Sequence, residues 1–267
     1  MQQTDRTGGS IFAYRGTAIL IFTHIIALFV GFTILAIVFQ FPEVLRLPAE
    51  ARLSLYRQGQ AIIQPTYWVL AMTGLTQVGI SVLLYQSFRT RGSTILVLSL
   101  VFGVLCGILQ TAGFIRWAIL IPYLADQITT ADPTTARTIA LVEGAFNRYA
   151  GMALGEHTAN ICLGIWTVLV GVAIRSERLL DKKLAPWGIV LGVVAMVLSL
   201  EQLGVAPAVL SVVLDFGFPA WAVWLVVVAV SLFRTNPESG EGPTLGWGTG
   251  AWAASLYAAM VLPSALG

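Results

Sequence analysis

The sequence predicts an all-α protein, a polytopic integral membrane helix bundle of six spans. A short seventh candidate follows at the C-terminus, and helices cover the outer face. Two observations carry this. Hydrophobic residues make up 57% of the 267-residue chain and charged residues 10%, where soluble domains carry about a quarter charged residues. The apolar residues also come in runs of about 20, enough to cross ~30 Å of hydrocarbon at ~1.5 Å per residue. The alternation over about ten residues that marks a β-barrel strand is absent.

The spans follow in order. Residues 16–41 form the first, too long for a signal-peptide core and with no A-x-A-like cleavage site after it, so it reads as a retained anchor. The second covers 64–87, the third 93–121, the fourth 150–174 and the fifth 187–205. The sixth covers 208–233, or starts nearer Pro219 if 206–217 form a re-entrant or surface segment. Residues 1–245 then make one bundle domain. The uncharged, Gly-, Ala- and Trp-rich segment 246–267 is either an interfacial helix or a short seventh span. Between spans one and two, Leu53, Tyr56 and Ile63 recur near helical spacing with Arg52 and Arg57 off their face, as in a helix lying in the interface. Asp132 before Pro133 reads as an N-cap followed by an N1 proline, opening a helix that runs into the fourth span. The stretch 236–246 reads as a flexible linker. No internal repeat is visible between spans one to three and four to six.

Lys and Arg set the orientation. With the N-terminus cytoplasmic, Arg6, Arg15, Arg89, Arg91, Arg175, Arg178, Lys182, Lys183 and Arg234 are inside. Arg46, Arg52, Arg57, Arg137 and Arg148 are outside, and Arg116 is within the membrane. The net charge of +2 reflects this topology, and no basic stripe interleaved with aromatics points to nucleic acid. Cys106 and Cys162 both fall mid-span as packing thiols, with no C-x-x-C pair.

Ionisable residues inside a membrane are costly and mark functional hypotheses. Arg116, Glu156, His157, Glu201, Gln202 and Asp215 all fall in or near the outer leaflet, and only His24 sits apart. At 100° per residue, Tyr149, Ala153, Glu156, Asn160, Thr167 and Gly171 share one arc of span four, a polar stripe expected to face the bundle. Gly103, Gly107 and Gln110 line span three, and Thr73, Gly74, Gln77 and Ser81 line span two. These are small-residue seams with Gln77 and Gln110 as interhelical glue. Pro122 cannot donate to the carbonyl of residue 118, which frees that carbonyl near Arg116. The Arg116 guanidinium calls for a carboxylate, with Glu156 and Glu201 as candidates. Three carboxylates against one arginine leave an imbalance that a proton, a charged His157 or a cation would settle. The plainer alternative is an ion pair that only fixes helix packing.

Metal and catalytic motifs are missing. There is no H-x-x-x-H, H-E-x-x-H, G-x-S-x-G or Walker-type loop, and the two histidines lie at different depths. His157 alone could ligate a haem or pigment macrocycle, with Ala153 leaving room for it.

GILQTAGFIRWAILIPYLA at 107–125, with R-W-x4-P-Y-L-A, and FNRYAGMALGEH at 146–157 resemble a bacterial multi-spanning membrane family catalogued as a domain of unknown function. TGLTQVGISVLLYQSF at 73–88 adds a weaker match. The resemblance implies about six spans and no settled activity, and the expected location is the cell's inner (cytoplasmic) membrane. The residues thus predict an outer-leaflet polar cleft that binds or passes a small molecule or ion. Arg116, Glu156, His157, Asn160 and Glu201 are its ligand-binding candidates, with no catalytic or metal residue and no assigned cofactor. The alternative is an accessory subunit of a larger membrane complex. The partners expected are the lipid bilayer and other membrane proteins.

Overall fold

The computed structural model describes residues 5–88, 93–177, 180–204, 209–235 and 247–265. Arg89, Arg91, Arg178 and the stretch 236–246 lie outside the described residues, as do the side chains of Arg6 and Asp215. The described residues contain helices and no strand. The α-helices are α1 (Asp5–Phe39), α2 (Ala49–Phe88), α3 (Thr94–Gln127), α4 (Pro133–Phe146), α5 (Ala159–Glu177), α6 (Leu184–Leu198), α7 (Val209–Arg234) and α8 (Trp247–Ala265). A π-helical segment, Asn147–Thr158, joins α4 to α5, and 3-10 turns occupy Glu43–Arg46 and Ser199–Leu203.

Among the described residues, six helical segments are long and apolar enough to cross a membrane: Ile11–Phe39, Ala49–Phe88, Thr94–Gln127, Pro133–Ser176, Leu184–Leu203 and Phe216–Arg234. Their burial supports that reading. Along α1, Ile21, Ile25, Leu35 and Phe39 are buried, while Phe12, Ile19, Ile26 and Ile37 are exposed. The exposed face is as apolar as the buried one, a pattern that suits lipid rather than water. The chain is a multi-spanning membrane protein.

Both connecting helices are continuous with spans, the first expected as a separate interfacial helix and the second expected to run on. Ala49–Phe88 is one helix of 40 residues passing through Pro65, about 60 Å long at 1.5 Å per residue. The face formed by Leu53, Tyr56 and Ile63 is fully buried in protein, so it packs where an interfacial helix would meet lipid. Pro133–Ser176 likewise runs unbroken for 44 residues, as the Asp132 cap predicts. Asp132 accepts from the Thr135 hydroxyl at 2.6 Å and from the Thr134 and Thr135 amides. These bonds, the Thr135 hydroxyl first, hold its carboxyl below the usual carboxylate range.

The chain divides into two compact units. The first comprises Met1–Ile25, Thr76–Cys106 and Asn160–Gly267. Within it, helices meet at glycines: a Cβ on Gly192 would lie 2.5 Å from the Gly164 carbonyl oxygen, and one on Gly188 would strike the Trp224 ring. Trp221 Nε1 donates to Thr167 Oγ1 at 3.0 Å, Trp224 Nε1 to the Leu184 carbonyl at 3.0 Å, and α8 packs on α7. His24 is buried and pairs with Thr76 Oγ1 at 2.7 Å, a hydrogen-bonded core histidine. Among the described residues, Gln77 Nε2 reaches Ser81 on its own helix, at 3.5 Å, which departs from its expected interhelical role.

The second unit comprises Ile26–Leu75 and Gly107–Ala159. Its core is aromatic. Trp117 stacks on Tyr67 at 4.9 Å between ring centres and on Tyr56 at 6.2 Å, and the Phe39 ring meets all three edge-on. α2 and α3 approach at Gly74, where a Cβ would overlap the Gly107 carbonyl oxygen and Thr111. Gln110 Nε2 reaches Thr73 Oγ1 at 3.4 Å across this seam.

Pro122 makes the expected break in the α3 ladder. The Ala118 carbonyl that it cannot serve accepts from Gln64 Nε2 at 2.9 Å, and the neighbouring Trp117 carbonyl accepts from Tyr56 Oη at 2.6 Å. Two side chains of α2 thus cap the loosened turn of α3. Gln64→Leu strands that acceptor and should lower stability by about 1–3 kcal/mol, read as a lower unfolding midpoint in detergent. An unchanged midpoint would show that the carbonyl finds another donor.

Candidate functional site

The second unit holds two buried arginines, and they are differently satisfied. Arg52, on the first turns of α2, is 6% exposed and Glu143, on α4, 0%. Arg52 Nε donates to Glu143 Oε1 at 3.0 Å and Nη2 to Oε2 at 2.5 Å, a bidentate pair across the side-on edge of the guanidinium. Nη1 donates to the Leu45 and Leu47 carbonyls at 3.0 and 2.8 Å, around the end of the 3-10 turn. Every nitrogen of Arg52 has an acceptor.

Arg116, on α3, is 7% exposed. Its Nη2 donates to Asn147 Oδ1 at 3.0 Å and its Nη1 to the Gly113 carbonyl of its own helix. Its Cζ stands 5.1 Å from the Trp117 ring centre. Its Nε is buried with no hydrogen-bond partner. The hydroxyl of Tyr67, whose ring stacks on the same Trp117, is buried and unpartnered too. Tyr67 and the carboxylates of Glu156 and Glu143 lie within electrostatic reach of the guanidinium.

The π-helix explains how this arrangement forms. Glu143, Asn147, Gly151 and Ala159 are buried, and Gly155 is half-buried between them. This stripe repeats every four residues. A 3.6-residue helix would rotate such a stripe steadily off its face, whereas the slower winding of i→i+5 bonding turns it back the other way, so the passage from α4 into the π segment limits the net drift. The Ala159 amide bonding to the Leu154 carbonyl and Thr158 Oγ1 to the Ala153 carbonyl at 2.7 Å both span five residues. Two positions on the stripe require glycine. A Cβ on Gly151 would lie 2.6 Å from Arg116 Cζ, and one on Gly155 would lie 2.7 Å from Gly113 Cα.

This geometry corrects the stripe drawn at 100° per residue. Tyr149 is 67% exposed and Ala153 is exposed. Of that arc, Glu156 and Asn160 are half-buried, and only Thr167 and Gly171 are buried. Nη2 and Nη1 of Arg116 hydrogen-bond to an amide and a carbonyl, since Asn147 is what the π-helix turns toward it. Arg116, Glu156 and His157 belong to the second unit, with Glu156 and His157 half-buried on the π segment. Asn160 and Glu201, both half-buried, belong to the first unit. Sequence reasoning missed Arg52, Glu143, Asn147 and Tyr67. The period-four run Glu143, Asn147, Gly151, Gly155, Ala159 was the available signal. Among the described residues, no group of three or more His, Cys, Asp or Glu is placed to hold a metal ion.

Removing one partner of a buried ion pair strands a charge, at a cost of about 3–5 kcal/mol, whereas replacing both by apolar groups is often neutral. Arg52→Met and Glu143→Leu should therefore each be strongly destabilising and the double variant close to wild type, in a double-mutant cycle by chemical unfolding in micelles. Additive losses would contradict the pair. Gly155→Ala should cost about 1–3 kcal/mol because backbone, not a flexible side chain, blocks the new methyl.

No curated protein and no solved structure matches the chain significantly. Residues 17–229 match the family described as Domain of unknown function (DUF4386). That match covers most of the chain, with the aromatic core, both arginines and the π segment inside it, and the protein belongs to the DUF4386 family.

Proposed function

We propose that this membrane protein binds or passes a small molecule at the polar centre around Arg116. Tyr67 and Trp117 form its wall, and Glu156 and His157 its margin. One observation carries the reading: two hydrogen-bonding groups, Arg116 Nε and the Tyr67 hydroxyl, are buried beside the same indole and have no partner. Buried polar groups are almost always satisfied, and those that are not call for an unrepresented partner or a functional role. Arg52 supplies the internal comparison, because the same fold satisfies every nitrogen of an arginine that serves structure. With the N-terminus cytoplasmic, as the Lys and Arg distribution favours, this centre faces the outer leaflet of the inner membrane.

Tyr67→Phe tests the reading with little risk to the fold. Removing a hydroxyl that bonds to nothing should leave the unliganded protein as stable as wild type or slightly more so. Native mass spectrometry of the protein extracted in lipid discs should show a co-purified small molecule, reduced about fivefold or more in Tyr67→Phe and absent in Arg116→Met. A clear loss of stability in Tyr67→Phe, or a mass spectrum with no bound species in any form, would contradict the proposal.

A further inference from the structure

The stripe that turns Glu143 and Asn147 inward leaves the opposite side of the same helix exposed, and that side is apolar. Leu141 is 74% exposed, Tyr149 67%, Phe146 47% and Val142 37%. Within a span such residues face lipid, so depth decides what these meet. Arg175, exposed at the other end of Pro133–Ser176, marks one membrane surface. About 20 helical residues cross ~30 Å of hydrocarbon, which brings the far surface to the neighbourhood of Gly155. The α2 helix gives the same length. About 20 residues from its end at Phe88 stands Trp68, 51% exposed, a residue type that settles at the membrane–water boundary. Beyond Gly155 the helix climbs about 9 Å to Tyr149 and about 21 Å to Leu141, whereas the headgroup layer is only about 5–7 Å thick. Leu141, Val142 and Phe146 therefore stand in water. Large apolar side chains gathered on one face in water mark an interaction surface.

Charge selects the partner. Arg137 and Arg148 are exposed and bracket the apolar strip, and among the described residues neither joins an ion pair. The acids of this helix do not offset them. Glu143 is buried against Arg52 on the inward side, and the Asp132 carboxylate holds the helix start. Two copies of the face placed together would set arginines against arginines, which disfavours a second copy of this chain. The height of Leu141 disfavours lipid. We infer that the outward face of α4 and the first π turn, from Arg137 to Tyr149, docks another protein through an amphipathic helix whose apolar stripe is flanked by Asp or Glu. The exposed apolar residues recur over about two turns, a footprint along which a partner helix packs. Carboxylates at the edges of that helix pair with Arg137 and Arg148, whose guanidinium forks suit them. Tyr and Arg are also the residue types that carry most of the energy at protein interfaces. The surface is independent of the Arg116 centre, which lies on the inward side of the same segment.

The test places photoreactive p-benzoylphenylalanine at Leu141 of the full chain, made in its native cells. Ile108 of α3, 54% exposed and mid-span, serves as the lipid-facing control. Mass spectrometry of the adducts should identify one protein at Leu141, joined through a helical segment that carries Asp or Glu beside an apolar stripe. Arg137→Glu combined with Arg148→Glu should cut that adduct about tenfold or more, and exchanging the partner's acids for Lys should restore it. Both arginines are exposed, so the double variant should unfold at the wild-type midpoint. No adduct at Leu141, an adduct with a second copy, adducts with lipid alone as at Ile108, or a protein adduct indifferent to the charge reversal would each overturn the inference. Depth is read separately from nitroxides at the two positions in lipid discs. The one at Leu141 should relax with a water-soluble nickel chelate and the one at Ile108 with oxygen. An oxygen-type response at Leu141 would place it in lipid and overturn the docking surface.

Discussion

The second unit depends on the closed pair between Arg52 and Glu143. It ties the start of α2 to α4 and, through the Leu45 and Leu47 carbonyls, to the 3-10 turn after α1. Such a pair is a poor source of net stability, since the desolvation of both charges offsets most of their attraction. Its contribution is geometric. With Glu143 fixed, the period-four stripe beginning at that residue has one facing direction, and Asn147 and Gly151 come to lie against Arg116. A fork that meets both carboxylate oxygens tolerates little rotation, so the phase of the following π-helix is set from its first turn.

That phase decides what Arg116 meets. The π-helix brings an amide and a glycine to a guanidinium that an α-helix of the same sequence would surround differently. Gly151 leaves the space the guanidinium fills, and Gly155 with Gly113 lets the two backbones touch. Long π segments are rare, and π geometry is frequent at functional sites. Here the segment Asn147–Thr158 carries the Gly-Glu-His run that makes the sequence conspicuous. The same core that holds Trp117 between Tyr56 and Tyr67 also holds the two unpartnered groups in place.

Much of the fold was legible because bilayer thickness and backbone chemistry leave few choices. Six apolar runs gave six spans. Asp132 gave a helix start, and Pro122 gave a free carbonyl at residue 118 that Gln64 occupies. The site was less legible for two physical reasons. Arg52 lies off the apolar face of a segment that reads as an interfacial helix, so the sequence shows no sign of its burial. An α-helix sets Glu156 and its neighbours 100° apart per residue, and the π-helix changes that angle. Tyr149 and Ala153 consequently face outward. A stripe repeating every four residues, rather than alternating threes and fours, was the signal that the helix would depart from α geometry.

The central claim is that Arg52 is a completed structural arginine while Arg116 keeps one donor open for a ligand. Electron cryo-microscopy of the protein in native lipid discs, at a resolution that shows ordered small molecules, tests it most directly. The account predicts Glu143 seated on both Nε and Nη2 of Arg52. It also predicts a non-protein feature larger than a water within hydrogen-bonding distance of Arg116 Nε and the Tyr67 hydroxyl. The Glu156 carboxylate seated on Arg116 Nε, with no other density beside Tyr67, would contradict it.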